Sequence, residues 1–327
     1  MRYFAAFDGG GTKTRCLLAD EQGRILGDSL AGPSNYKSAG EAVCRASVED
    51  AFVRSLRLAN LSREDVAFAY LGLSGADRQE DFDILDPICA DIFGSVPFKI
   101  KNDLWIALRS GIRQKWGMVS ICGTGFNAGA RNREGVETAL RAETFELGNY
   151  GGGDHITSIA LHKAFRSDEG TGRPTLLESR LPEVLEAKDM EEVFTRMMHG
   201  DEDIAERLVR IPRLVFELAE KGDGVCQDIL RDMGDTMGEM IGRVAVRAGM
   251  AEADLPVVLA GSIYRDRYPL LKDALVLSLH RFAPGAVICI PELPPVAGAL
   301  LSAMDGLGME IPETVYKNIR HYHCSGV

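Results

Sequence analysis

The chain has 327 residues, which at roughly 100–200 residues per domain predicts two domains. With 46% hydrophobic and 26% charged residues it has the composition of a globular protein that can bury a full core. Its net charge of −11 argues against non-specific binding to nucleic acid or to an anionic membrane.

The first half of the chain predicts three strands and then alternating helices and strands. Apolar runs bounded by turn residues predict the strands, and apolar residues at helical spacing predict the helices. The strands are expected at 2–8, 14–20, about 25–31, 66–73 and about 98–101, and the helices at roughly 38–58, near Asp77 and after Asn102.

The second half begins the same pattern again. A strand at 117–122 leads into a small-residue turn and a second strand, and 137–142 can form a third. A helix is expected from about 152 to 165, a mostly helical stretch at 170–255, and further strands at 257–260 and 286–290. The repeated order predicts two related α/β lobes.

The cysteines and the apolar runs indicate in which cellular compartment the protein is expected. The chain has seven cysteines, widely spaced and without a C-x-x-C pair, which is typical of free thiols in a reducing cytosol. The N-terminal segment turns polar too early for a signal peptide, and no apolar run approaches the roughly 18 residues that span a bilayer. We therefore expect a cytoplasmic protein.

A glycine-rich turn between the first two strands is the strongest local signal. It reads Asp8, Gly9, Gly10, Gly11, Thr12, Lys13 and Thr14. Three glycines permit positive φ and a close approach of backbone to ligand, and successive N–H groups in such a turn bind anions. Asp8 is placed to bind Mg²⁺, and Thr12 and Lys13 can donate to phosphate.

The same turn can also be an ordinary tight hairpin that requires glycine. It is not the P-loop of the G-x-x-x-x-G-K-[ST] type, since no helix follows it.

A second turn repeats the first about 115 residues later. It consists of Gly123, Thr124, Gly125, Phe126 and Asn127, again after an apolar strand. Two such turns could hold the β- and γ-phosphates of a nucleotide from both sides.

Asp103 stands where a strand gives way to a helix. A carboxylate there can cap the helix N-terminus. It can also act as the general base on a substrate hydroxyl. Besides such a base, phosphoryl transfer needs little more than positioning, metal and charge neutralisation.

Gly261 and Ser262 follow the strand at 257–260. Small residues there let a flat adenine and ribose lie against the backbone, although an ordinary turn is the simpler interpretation. The small residues at 295–299 predict close helix packing.

Together these motifs resemble those of the BadF/BadG/BcrA/BcrD-type ATPases, and within them the N-acetylglucosamine kinase and glucosamine kinase group. The matching segments are DGGGTKT at 8–14, GPSN at 32–35, GLSGAD at 72–77, NDL at 102–104, CGTGFN at 122–127, LGNYGGG at 147–153, LAGS at 259–262 and PPVAGALLSA at 294–303.

The resemblance implies a two-lobed actin-like ATPase fold of the ribonuclease H-like type, with duplicated α/β lobes and the active site in the cleft between them. The first lobe would comprise 1–113 with a C-terminal helix within 306–327, and the second 114–305. ATP and Mg²⁺ would be the cofactors, and a homodimer is expected.

The resemblance also implies roles for single residues. Asp8 would help to hold Mg²⁺, and Asp103 would take the proton from the 6-hydroxyl of the sugar. Residues 8–14 and 123–125 would form the two phosphate loops, with Gly261 and Ser262 bordering the adenosine. The sugar would contact Asn35, Asp103, Asn127 and Asn149.

Two departures from the family pattern concern the sugar. Phe126 stands where the second loop usually has a small hydroxyl residue, and Asn149-Tyr150 replaces the usual Asp-Glu pair. Asn149 can still hydrogen-bond a hydroxyl but brings no charge.

Two other functions stay open at this point. One is an ATPase that activates a partner enzyme through an iron–sulfur cluster, for which no cysteine pair has suitable spacing. The other is a non-catalytic sugar or nucleotide sensor on the same fold, which the changes at Phe126, Asn149 and Tyr150 motivate.

Overall fold

The computed structural model describes residues 1–141, 143–251 and 254–325, with side chains to residue 322 at the C-terminal end. Its strands are β1 Tyr3–Gly9, β2 Thr14–Asp20, β3 Ile25–Ala31, β4 Val66–Leu73, β5 Phe98–Lys101, β6 Gly117–Cys122, β7 Phe126–Arg131, β8 Glu137–Ala139, β9 Leu255–Ala260 and β10 Ala286–Cys289. Its helices are α1 Tyr36–Ala39, α2 Glu41–Ala59, α3 Gln79–Phe93, α4 Asp103–Gly111, α5 Gly153–Asp168, α6 Leu177–Leu185, α7 Met190–Met198, α8 Glu202–Arg207, α9 Ile211–Glu220, α10 Gly224–Arg247, α11 Leu270–His280, α12 Pro295–Gly306 and α13 Glu313–Ser325.

The strands form two sheets with the same internal order. One sheet runs β3-β2-β1-β4-β5 and the other β8-β7-β6-β9-β10. In each, the first strand of the set lies at the centre, flanked on one side by the second and third strands and on the other by the fourth and fifth. The predicted duplication is therefore confirmed at the level of topology.

The chain divides into two compact units, one for each sheet. The first comprises Met1–Val119 together with the chain from Cys289 onward, and the second comprises Ser120–Ile288. Helix α12 belongs to the first unit, so this division falls one helix earlier than the boundary expected near residue 305. The assignment of binding roles to the two lobes stays a prediction.

Strand β1 is buried on both faces, which explains its unbroken apolar sequence. Ala5 and Phe7 pack with α2 and α3 on one face, while Phe4 and Ala6 pack with α12 and α13 on the other. Covering helices on both faces are what a strand with parallel neighbours requires, and β1 pairs in parallel with β4.

The helix expected at 38–58 is divided in two. Gly40 has a φ of +86° and separates α1 from α2. A left-handed residue cannot continue an α-helix, so apolar spacing alone missed this break. The third strand of the second set is also shorter than the expected 137–142, and residue 142 lies outside the described residues.

The stretch 170–255 is mostly helical, as expected. It contains α6 to α10 and the start of β9, with residues 252 and 253 outside the described ranges. No helix in the described part of the chain is both long and apolar enough to cross a bilayer.

The cysteines expected as free thiols are largely in the cores. Cys16, Cys44, Cys89, Cys122 and Cys226 are free and buried. Cys324 lies among the C-terminal residues whose side chains are not described.

Helix α12 packs closely against α4 because one of its residues has no side chain. A Cβ atom on Gly298 would lie 1.9 Å from the carbonyl oxygen of Ile106 and 2.7 Å from the backbone nitrogen of Ser110. This contact holds the helix that begins at Asp103 against the core of its unit.

We expect Gly298→Ala to destabilise the protein by about 1–3 kcal/mol, because the added methyl group meets rigid helix backbone. Gly306→Ala, at the end of the same helix, is the control: the atoms nearest to its methyl group would belong to the side-chain ring of Phe68, at 3.2 Å, and not to backbone. Urea denaturation of both variants measures the difference, and equal stabilities would contradict the packing described.

Candidate functional site

The first glycine turn joins β1 and β2 as a tight hairpin. Gly9 pairs with Thr14, and the backbone N–H of Gly10 donates to the carbonyl oxygen of Lys13 at 3.0 Å. A Cβ atom on Gly11 would meet nothing within 4 Å. The tip of the turn is therefore open, and a ligand could approach its backbone.

The three glycines do not use positive φ. None of Gly9, Gly10 and Gly11 lies in the left-handed region, so the turn does not use the positive φ that its glycines permit. Space is the reason for glycine at position 9, where a Cβ atom would lie 2.2 Å from Ser34 Oγ and 2.6 Å from Leu73 Cδ2.

The polar residues of the turn divide into exposed and buried ones. Thr12 and Lys13 are exposed and can reach a ligand. Thr14 is fully buried, and its hydroxyl donates to the carbonyl oxygen of Gly32 at 2.8 Å. In this structure Thr14 therefore stabilises the neighbouring loop.

Three aspartates stand at the ends of three adjacent parallel strands. Asp8 lies near the end of β1, Asp77 follows β4 and Asp103 follows β5. Because β4 pairs in parallel with both β1 and β5, these chain segments leave the sheet at the same edge. This is the edge at which α/β sheets bind ligands.

Two of these aspartates, Asp8 and Asp103, have a raised pKa. Burial, and to a lesser extent the negative charges of Asp8 and Asp77, raise the pKa of Asp103 to about 7. Burial also raises the pKa of Asp8 to about 6, against the opposing effect of Lys13 and Arg15. Burial is therefore the main reason that both carboxyl groups bind a proton more readily than a solvated aspartate does.

Asp103 is the first residue of α4 and not its cap. The cap is Asn102, whose Oδ1 accepts from the backbone N–H of Leu104 at 2.9 Å. Asn102 Nδ2 donates in turn to Asp77 Oδ1 at 2.7 Å, and Asp77 Oδ2 accepts from Lys37 Nζ at 2.9 Å. The interpretation of Asp103 as a simple N-cap is thereby excluded.

Asp77 and Asn102 lie beside Asp103 through these hydrogen bonds, and the sequence had suggested a role for neither. Both lie in segments that carry the family resemblance, Asp77 in GLSGAD and Asn102 in NDL. A signal existed, because an asparagine directly before an aspartate at a helix start is itself a preferred cap.

Asn35 is tied to the first turn. Its backbone N–H donates to the carbonyl oxygen of Gly10 at 3.2 Å, and its Nδ2 donates to Ser74 Oγ at 3.2 Å. Its Oδ1 caps α1 by accepting from the N–H of Lys37 at 3.0 Å. Asn35 thus belongs to the same cluster as Asp8 and the turn.

The second glycine turn rests on the N-terminus of α5. The N–H of Gly153 donates to the carbonyl oxygen of Gly123 at 2.8 Å, and that of Asp154 donates to Thr124 at 3.0 Å. A Cβ atom on Gly152, which has a φ of +93°, would lie 2.5 Å from the carbonyl oxygen of Thr124. The glycines at 151–153 therefore allow helix and turn to approach.

A cavity of about 380 Å³ opens beside this turn within the second unit. Its wall includes Gly123, Thr124 and Ser262, and helix α9 adds Pro212 and Phe216. The volume lies in the range of small-ligand pockets. Sequence reasoning found the first three residues and missed the contribution of α9, which carries no motif.

Gly261 allows its strand to approach the second turn. It has a φ of +109°, and a Cβ atom on it would lie 2.2 Å from the carbonyl oxygen of Cys122. A side chain at this position would separate the ends of β6 and β9, which are adjacent in the sheet.

Asn149 is fully engaged in holding its own loop. Its Nδ2 donates to the carbonyl oxygens of Phe126 and Glu143, at 3.1 and 3.0 Å, and its Oδ1 accepts from the N–H of Tyr150. In this structure it has no donor left for a sugar. Asn127 accepts from the N–H of Ala128 through its Oδ1, and its Nδ2 bonds to no described residue.

The aromatic residues of the two departures from the family pattern, Phe126 and Tyr150, pack against neighbouring residues of the second unit. Phe126 is only 3% exposed, and a Cβ atom on Gly151 would lie 3.0 Å from it. Tyr150 packs against His155, with the ring centroids 4.1 Å apart. Both aromatic residues stabilise the loop around Asn149.

Comparison with known proteins gives a consistent family. The profile of the BadF/BadG/BcrA/BcrD ATPase family matches residues 7–303. An N-acetyl-D-glucosamine kinase of Dictyostelium discoideum is 30% identical over 92% of this chain and 98% of its own length. An N-acetylmuramic acid/N-acetylglucosamine kinase of Clostridium acetobutylicum is 26% identical over 80% of this chain and 86% of its own length.

The fold has solved counterparts. A crystal structure from Chromobacterium violaceum, of a protein assigned as an N-acetylglucosamine kinase, superposes with a TM-score of 0.68. It is 21% identical and covers 92% of this chain and 98% of its own. The predicted actin-like α/β fold is confirmed.

The raised pKa of Asp103 predicts a pH-dependent cost in stability. A carboxyl group with a higher pKa in the folded state binds protons more tightly there, so stability falls as the pH rises from about 4 toward 7. Asp103→Asn removes this penalty. The variant should be more stable than the parent at pH 8, by on the order of 2 kcal/mol, and the difference should shrink by pH 5.

Urea denaturation at the two pH values checks this. Asp86→Asn, an exposed aspartate of α3, is the control and should show no such trend. A difference that stayed constant with pH would contradict the electrostatic account of Asp103.

Proposed function

Because the chain belongs to the BadF/BadG/BcrA/BcrD ATPase family, we propose that it is an ATP-dependent kinase that phosphorylates an amino sugar at its 6-hydroxyl. The observation that carries the proposal is the carboxyl group of Asp103. It is partly buried, stands at the edge where the parallel strands end, and has a pKa near 7. A general base works best with a pKa close to the operating pH.

Asp103 takes the proton in this reaction. As the 6-hydroxyl proton passes to Asp103, the sugar oxygen attacks the γ-phosphorus of ATP. The bond from that phosphorus to the β–γ bridging oxygen breaks, and ADP leaves. Asn102 and Asp77 hold the first turn of α4, and through it Asp103, in place.

We assign Mg²⁺ to Asp8. Among the described residues no three His, Cys, Asp or Glu side chains cluster as a metal site, and Mg²⁺ typically takes one or two carboxylates with waters and phosphate oxygens. Burial raises the pKa of Asp8 to about 6, and a divalent cation bound to the carboxylate would favour its charged form. Bound there, Mg²⁺ would neutralise phosphate charge during transfer.

In this proposal each glycine turn binds nucleotide phosphate, and the cavity beside the second turn binds the adenosine. Residues 9–13 and 123–125 provide the phosphate contacts, with Thr12 and Lys13 as exposed side-chain donors. The adenosine lies in the cavity of about 380 Å³, bordered by Ser262, while Gly261 keeps the adjoining strands close. This support is geometric: open backbone at the turns and an apolar wall from α9.

The sugar contacts Asn35, Asn127 and Asp103. The names of the relatives, which include a glucosamine kinase of Vibrio cholerae that is 27% identical over 52% of this chain and 57% of its own length, support an amino sugar as the acceptor. Asn149 contributes chiefly by fixing the loop that carries Phe126 and Tyr150. Its direct contact with the sugar would require one of these bonds to break.

We propose that the enzyme works in the cytoplasm as a homodimer, without nucleic acid or membrane partners. The net charge of −11 supports the last part, because it repels polyanionic surfaces.

Asp103→Asn should abolish sugar-dependent ADP release and leave ATP binding nearly intact, because the amide cannot accept the hydroxyl proton. A coupled ADP-release assay and calorimetric titration with an ATP analogue measure the two effects. Asp86→Asn is the control and should keep the parent's rate.

Retention of more than about a tenth of the rate in Asp103→Asn would refute the base role, since general-base catalysis is worth about 10²–10⁴-fold. Loss of nucleotide binding together with the rate would also count against it.

A further inference from the structure

One buried hydroxyl beside the first glycine turn has no hydrogen-bond partner. Ser34 is 1% exposed, and its Oγ bonds to no described residue. The only other such buried side-chain atom in the described part of the chain is Nε of Arg207, whose guanidinium group bonds through its remaining nitrogens. Ser34 is therefore exceptional in having a wholly unpaired side chain.

Such a group is costly and calls for an explanation. Burying an unsatisfied polar group costs about 1–3 kcal/mol, and nearly all buried polar groups in native proteins are paired. An alanine would fill the same place without the penalty. The hydroxyl is therefore unfavourable for the ligand-free fold.

The surroundings of Ser34 connect it with the first turn. Its backbone N–H donates to the carbonyl oxygen of Gly10 at 3.0 Å. A Cβ atom on Gly9 would lie 2.2 Å from its Oγ, so the hydroxyl occupies the space left by the missing side chain of Gly9. That glycine directly follows Asp8, to which we assigned Mg²⁺.

We propose that the Ser34 hydroxyl obtains its hydrogen-bond partner from the bound nucleotide, at the phosphate and Mg²⁺ end, either directly or through a water molecule bound there. Ser34 is thus a nucleotide-binding residue, and Gly9 is glycine partly to accommodate its hydroxyl. This inference rests on the proposed nucleotide site and adds a residue to it.

The nucleotide is favoured over the sugar as the source of the partner. The side chain of the next residue, Asn35, points to Ser74 and Lys37. The contacts of Ser34 noted above are with Gly9 and Gly10 instead. The sugar is therefore the alternative that the experiment must distinguish.

Two serine variants separate binding from folding. Ser55 is the matched control: it is fully buried in the same unit, but its hydroxyl donates to the carbonyl oxygen of Cys16 at 2.9 Å and lies 2.8 Å from Ser29 Oγ. Ser34→Ala removes an unpaired hydroxyl, whereas Ser55→Ala removes a paired one.

We expect opposite patterns in the two variants. Ser34→Ala should keep or raise the melting temperature of the ligand-free protein, and should weaken binding of Mg²⁺-ADP and of a Mg²⁺-ATP analogue by about tenfold or more. Its affinity for adenosine, which has no phosphate, should stay within about twofold of the parent's. Ser55→Ala should lower the melting temperature by a few degrees, about 2–8 °C, with unchanged nucleotide affinity.

Calorimetric titration and thermal melting provide these readouts without relying on activity. Unchanged Mg²⁺-nucleotide affinity in Ser34→Ala, weaker binding of the sugar alone, or a destabilised ligand-free protein would each overturn the inference. Failure of the parent protein to bind Mg²⁺-ATP would instead overturn the proposed function, so the two failures can be told apart.

Discussion

The fold of the first unit brings negatively charged groups together at one sheet edge. Asp8, Asp77 and Asp103 lie at or just after the ends of three adjacent parallel strands, and burial together with the negative charges of Asp8 and Asp77 leaves Asp103 with a pKa of about 7. A structure selected only for stability would avoid this arrangement. The arrangement is chemically useful because a carboxylate whose pKa is about 7 can accept a proton at neutral pH, and because a nearby carboxylate can hold a cation.

The second unit has the same strand order but different chemistry at the corresponding places. Gly123 follows the central strand β6, as Gly10 follows β1, and Gly261 follows β9 where the first unit has the segment leading to Asp77. Small residues at these strand ends of the second unit leave room for a ligand. The two units thus share a topology, but the first carries the carboxyl groups with a raised pKa and the second carries the cavity beside its glycine turn.

Much of the fold could be predicted because the apolar pattern is strong. The strands at 66–73, 98–101 and 117–122 have the expected bounds, since apolar runs end at turn residues there. The break at Gly40 was not visible, because a glycine within a helical pattern can also continue the helix. The cavity wall from α9 was missed because packing between distant segments leaves no local motif.

The sequence predicted which residues lie in the candidate site better than it predicted what each of them does. The motif led to Asp103, but only the structure shows that Asn102 is the cap and that Asp77 fixes it. The first turn was located correctly, while at Gly9 the reason for glycine is close contact and not positive φ. Hydrogen bonds such as those of Asn149 depend on the loop geometry, which cannot be predicted from a single sequence.

The most direct test of the central claim is ADP release from Mg²⁺-ATP with a panel of N-acetylglucosamine, glucosamine, N-acetylmannosamine and glucose, against a blank without sugar. Stimulation by one amino sugar well above the blank is the result expected of an amino sugar kinase, and the preferred sugar would show what the loop of Asn149 and Tyr150 selects. Absence of stimulation by every sugar, in a protein that binds ATP, would contradict the account.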